Sequence, residues 1–285
     1  MVSTRAAVCV ILAGYLHGFV QAVTLSGTRS GSGIPGNSAA VMAPRARPSH
    51  CDPFHMAFDS STNYPDFERD FSPLDGPHSY QLGSGGLSLF LDKPDGRITT
   101  KDGTNNKVAE GSTLNSTFTV LYGKVTYTFS GPAVPGVVTA AILIALESDE
   151  IDIELVGGRP TQWQTNTFAP ALGENKPLYS TFSSLEDYPH GHKTVAESHA
   201  YTIDWNPERI VWSVDGSEVR TLRADDTRKN GSLHYPSHPA RLQFGIWDAS
   251  APAGTSEWAR GPIDWEKYPE RMSAVFESIE VECPY

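Results

Sequence analysis

Three acids alternate with apolar residues in the segment Ser148-Asp-Glu150-Ile-Asp152-Ile-Glu154-Leu-Val-Gly-Gly158. Extended chain sends successive side chains to opposite faces, so Glu150, Asp152 and Glu154 are predicted to share one face while Ile151, Ile153 and Leu155 enter a core. Like charges in a row repel, and the row is costly unless one group keeps its proton or the site uses the field. Retaining glycoside hydrolysis needs that asymmetry. One carboxylate attacks the anomeric carbon; a second, held protonated, gives its proton to the leaving oxygen and then acts as base on the acceptor. Asp152, between the two, is placed to raise a neighbour's pKa and to orient the nucleophile. Residues four apart in a strand have Cα atoms about 13 Å apart, whereas retaining carboxyl groups sit roughly 5 Å apart, so the glutamates must lean together. The pattern alone also fits a solvated strand face. A calcium loop fits less well, because the glycine and ligand spacing of an EF-hand are missing; no metal and no cofactor is expected.

Further along, Gln164 and Asn166 in Gln162-Trp-Gln-Thr-Asn-Thr-Phe168 fall on one strand face. Amides suit sugar hydroxyls because each offers donor and acceptor, although ordinary ladder positions would look the same. Trp205 and Trp247 are candidates to stack on pyranose rings, with the core as the alternative, and Trp212 is assigned to the core.

These residues need a strand-rich scaffold. Period-two runs occur at Leu87–Leu91, at Val120–Phe129 and at the end of the chain, where Ile279, Val281 and Cys283 oppose Glu280 and Glu282. His199–Trp205, Ile210–Val214 and Ser217–Leu222, separated by Asn206-Pro-Glu-Arg and Asp215-Gly216, predict a three-stranded meander. Gly (25) and Pro (21) are spread as turn punctuation and few segments carry a helical period, so an all-β sandwich or barrel is expected. No repeat of propeller or solenoid length is present.

Residues 1–22 read as a signal peptide, with Arg5, an apolar run and the small-residue site before Val23, too short and interrupted for a membrane span. Residues 23–50, rich in Ser, Gly and Pro, read as a flexible leader, leaving one folded domain, 51–285. A net charge of −11 argues against nucleic acid and leaves a neutral polysaccharide compatible. Export would leave Cys51 and Cys283, an even number that either pairs across the domain or remains as two buried thiols. Asn115-Ser-Thr and Asn230-Gly-Ser match the N-glycosylation pattern and are expected on the surface.

Taken together, DEIDIELVGG, QWQTNTF, HAYTIDWNPERIVWSVDG and GTSEWARGPIDW resemble glycoside hydrolase family 16, and within it the fungal Crh-type transglycosylases, over about residues 75–283. The resemblance implies a concanavalin-like β-jelly-roll of two antiparallel sheets with a concave cleft. It also implies retaining cleavage of chitin or β-1,3-glucan, with transfer to a glycan acceptor. On that likeness Glu150 is the nucleophile, Glu154 the acid/base and Asp152 the assisting residue, while Glu154, Trp247 and Thr255 contact the sugar chain. Gln243, four residues before Trp247, faces the same way. Thr167 and Arg260 depart from the family pattern, both expected at the cleft rim. No chitin-binding module or lipid-anchor signal is apparent, so a freely secreted monomer, extracellular or in the cell wall, is expected. A plain endo-β-1,3(4)-glucanase is the alternative, and a non-catalytic carbohydrate-binding sandwich a further one.

Overall fold

Short strands with one apolar face bury it by stacking sheet on sheet. The computed structural model describes residues 50–285 except 77, 78, 190 and 192. The expected signal peptide and, apart from His50, the leader lie outside the described residues.

One seven-stranded antiparallel sheet carries the acidic segment. Its order is β12 (Ser184–Asp187), β11 (Gln162–Phe168), β10 (Glu150–Val156), β9 (Val137–Ala145), β18 (Ala240–Asp248), β7 (Ser112–Ser116) and β2 (Phe71–Pro73). The opposing sheet runs β15 (Ser217–Arg223), β14 (Arg209–Val214), β13 (His199–Trp205), β8 (Gly123–Ser130), β19 (Arg271–Glu282), β4 (Gly86–Asp92) and β3 (Tyr80–Gly83), with β1 (Phe54–Ala57) also on β19. Two small ribbons, β5 (Thr100–Lys101) with β6 (Thr104–Asn105) and β16 (Arg228–Lys229) with β17 (Ser232–Leu233), and the short helices α1 (Tyr64–Asp70) and α2 (Ala253–Trp258) decorate the sandwich. This is the jelly-roll expected from sequence.

The core lies between the sheets. Ile151, Ile153 and Leu155 of β10 meet Tyr201, Ile203, Trp205, Trp212 and Phe276 of the opposing sheet within one apolar cluster. Trp212, assigned to the core from its alternation, is fully buried there and donates its indole N–H to the Asp152 carbonyl oxygen at 3.1 Å. The acidic strand is thus tied to the opposing sheet at its middle residue. The predicted meander is β13–β14–β15, and its hairpin turn has Asp215 and Gly216 at φ 49° and 76°, the left-handed pair that a tight two-residue turn requires. Cys51 and Cys283 form a disulfide, with Cα atoms 5.7 Å apart, closing the two ends of the described chain.

Candidate active site

β10 is buried on both faces, and the reason differs between them. Its apolar residues face the core, whereas Glu150, Asp152 and Glu154, exposed by only 8%, 1% and 3%, share the other face, where the cleft is expected. Antiparallel register builds that face. Asp152 stands beside Asn166 of β11 and Ile142 of β9, Ile142 stands beside Gln243 of β18, and Gln243 beside Asn115 of β7. This row crosses five strands and is polar on four of them, with Ile142 on β9 the exception. Several polar atoms of this row and of the adjacent Glu150 are buried without a partner among the described residues: Glu150 Oε1, both Asp152 carboxyl oxygens, Asn166 Nδ2, Gln243 Oε1 and Asn115 Oδ1. Buried polar groups are normally paired, so such a row is primed for the hydroxyls of a ligand.

Glu154 is held differently. Gln164 donates from Nε2 to Glu154 Oε2 at 3.0 Å and accepts at Oε1 from the indole N–H of Trp258, also at 3.0 Å. An indole can only donate, so the amide orientation is fixed and its N–H₂ must face the glutamate. Trp258 in turn stacks on Trp247, rings 5.9 Å apart and 17° from parallel. It belongs with Val138, Val156, Ala249 and Ala259 to a small apolar cluster that covers this end of the cleft. Gly158 serves the same end: a Cβ there would lie 2.5 Å from the Ala259 carbonyl oxygen, so glycine lets the chain after α2 pack against the end of β10.

Burial dominates the electrostatics. Loss of water pushes the Glu150 carboxyl up to about 7, a rise opposed by the neighbouring Asp152 carboxyl. Burial, then the charge of Glu150, pushes Glu154 up to about 8 against the hydrogen bond from Gln164. Burial and its two acidic neighbours push Asp152 well above the usual carboxylate range. Between these two neighbours the interaction raises Asp152 and lowers Glu150, so the proton stays on Asp152 and Glu150 is the one to ionise. One ionised carboxylate and one protonated carboxyl on the same face are the pair that general-acid and nucleophilic chemistry requires.

The structure brings Glu150, Asp152, Glu154, Gln164, Asn166, Gln243 and Trp247 to this face. Four expectations change. Trp205 lies on β13 of the opposing sheet, has no exposed surface and donates its N–H to the Pro236 carbonyl; it is a core residue, not a stacking platform. Thr255 is completely buried within α2 instead of standing open beside a sugar chain, its hydroxyl, like the atoms of the acid row, lacking a partner among the described residues. Thr167 faces the core rather than the rim, and its hydroxyl donates to the Glu150 carbonyl at 2.8 Å. Asn115 is half-buried in the polar row instead of standing on an open surface, whereas Asn230 is exposed at the turn between β16 and β17. Sequence reasoning missed Trp258, although it stands in the same quoted motif as Arg260.

A two-sheet sandwich with three juxtaposed acids on one sheet face is the architecture of a glycoside hydrolase. The chain belongs to glycosyl hydrolases family 16, whose model matches residues 67–267. It is similar to Crh-like protein 2 of Aspergillus fumigatus, 34% identical over 82% of this chain and 55% of that protein. It is also similar to the probable glycosidase CRR1 of Saccharomyces cerevisiae, 36% identical over 63% of this chain and 43% of that protein. The chain thus spans about half the length of the curated relatives it matches. Among solved structures, Crh5 transglycosylase in complex with NAG has 26% identity and a TM-score of 0.66 over 84% of this chain and 89% of that one. The β-glucanase of Bacillus licheniformis, at 20% identity and a TM-score of 0.63 over 81% and 98%, shares the fold.

Proposed function

We propose that residues 51–285 form the catalytic domain of a secreted retaining transglycosylase acting on β-linked cell-wall polysaccharide, chitin or β-1,3-glucan. Glu150 attacks the anomeric carbon while the bond to the leaving sugar breaks and the proton of Glu154 passes to its oxygen. An acceptor hydroxyl then displaces Glu150 and returns its proton to Glu154. Asp152 keeps a proton on the inner side of Glu150, aiming the nucleophile and tempering its basicity. Gln164, held by Trp258, keeps Glu154 pointed along the same face. Asn166, Gln243 and Trp247 hold the sugar chain.

The observation that carries this reading is the buried carboxyl row of β10 with its unpartnered oxygens and raised pKa values, because a solvated strand face would leave such acids exposed and ordinary. The likeness to Crh-like proteins and to Crh5 transglycosylase in complex with NAG supports a cell-wall glycan as the substrate class. Incubation of the protein with fluorescently labelled chitin oligosaccharides, with and without a laminarin acceptor, tests it. Labelled high-mass product appearing only with acceptor is expected; an unchanged labelled donor in both incubations counts against the assignment.

A further inference from the structure

Beyond Glu154 the cleft opens into a pocket of about 370 Å³ that includes Arg159, Gln164, Ser184, Glu257, Trp258 and Arg260. Gln164 is the residue that holds Glu154, and Arg159 follows Glu154 by five residues on the side away from Glu150. Register places the pocket two strands from Glu154, through Gln164 to Leu185, or about 10 Å at ordinary strand spacing. A glycan reaching this pocket lies on the side of the acid/base, where the leaving group departs and the acceptor enters.

Two guanidinium groups line this pocket without a carboxylate partner among the described residues. Among the described residues neither Arg159 nor Arg260 makes a side-chain hydrogen bond or ion pair, although Glu257 lines the same space, and burial together with the nearby Arg260 charge lowers the Arg159 pKa. The backbone is arranged for this meeting. Arg260 sits at φ 58°, a left-handed conformation that a residue with a Cβ adopts only at a cost. A Cβ on Gly158 would lie 2.4 Å from the Arg260 Cβ, so glycine at 158 is what lets Arg260 come down beside Arg159. Two arginines and one glutamate leave the pocket with a charge of +1 in a chain whose net charge is −11. A single carboxylate balances that charge, and guanidinium groups match its planar pair of oxygens.

We infer that this pocket recognises an acidic saccharide, a uronate whose carboxylate lies between Arg159 and Arg260 on the acceptor side of the cleft. Its placement as an acceptor site rests on the reading of Glu154 as acid/base; its affinity for a uronate does not.

The test uses laminari-oligosaccharides and the same oligosaccharides oxidised at C6 to glucuronate, titrated calorimetrically into the whole protein at low salt. The oxidised chain is expected to bind about tenfold tighter or better, with the advantage falling at 0.5 M salt. Arg159→Ala and Arg260→Gly should each bring the two affinities together, and glycine at 260 suits the left-handed backbone, so misfolding does not confound that variant. Equal or absent binding of the two ligands by the unsubstituted protein, or a preference that survives both substitutions, overturns the inference. A preference that depends on both arginines in a protein that cleaves no neutral donor upholds the pocket and sinks the proposed function instead.

Discussion

Glu154 carries the sharpest consequences of burial at the scale of one residue. Glutamine at 154 keeps the volume and a hydrogen-bonding group beside Gln164, yet it has no proton to give and no charge to strand. Glu154→Gln is therefore expected to lower turnover by roughly three orders of magnitude or more, with Glu150→Gln equally damaging because an amide does not attack as a carboxylate. Stability should move the other way. A carboxyl whose folded pKa is raised binds its proton more tightly in the folded state, so its contribution is fully present below the unfolded value near 4.5 and is lost as pH climbs through about 8. Glu154→Gln should thus melt higher than the unsubstituted protein at pH 8, by a few degrees for about 1 kcal/mol or more, and the difference should vanish below pH 4.5. Thermal melts of both proteins across that range, beside steady-state rates, check the pair of expectations. A variant that is less stable at pH 8 contradicts the electrostatic account.

At the scale of the element, β10 is where sequence and structure agree most closely, because strand alternation is local. Glu150, Asp152 and Glu154 share a face and Ile151, Ile153 and Leu155 the other, as the residue pattern predicts. The meander from His199 was legible for the same reason, its Asp215-Gly216 turn being written in residue types. Trp205 was misplaced although the signal existed: Tyr201, Ile203 and Trp205 share parity, so a core face for one implies it for all three. Parity likewise puts Thr167 opposite Asn166, away from the cleft. Other features were not local. The pairing of β18 with β9 and β7 joins segments about 100 and about 130 residues apart, and no residue type in Gln243 or Asn115 announces that they stand side by side. α2 escaped notice because it is six residues long with no side-chain cap. Trp212 shows how an element is held from outside. Phenylalanine there would leave the Asp152 carbonyl without its donor and a gap in the core, so Trp212→Phe is expected to destabilise by about 2–4 kcal/mol in a urea titration and to lower the cleavage rate. A change below about 0.5 kcal/mol would mean that the tie between the sheets matters little.

Across the whole molecule the two sheets depend on long-range closure. Cys51 and Cys283 are 232 residues apart, and a bridge over so long a loop restricts the unfolded chain by on the order of 5 kcal/mol in the entropic account. Replacing both with serine should lower the denaturation midpoint markedly while leaving the cleft chemistry intact once folded, because the bridge lies at the chain ends of the opposing sheet, joining the segment before β1 to the end of β19. An unchanged midpoint would show that the strands close the fold unaided. The function of the assembled sandwich rests on one chemical claim, that Glu150 forms a glycosyl intermediate which Glu154 first creates and then releases to an acceptor. Proton NMR of the first product, recorded before the sugar mutarotates, tests that claim most directly. The β-anomer is expected at the earliest time points. Initial release of the α-anomer would mean a single displacement by water and would contradict the roles assigned to both glutamates.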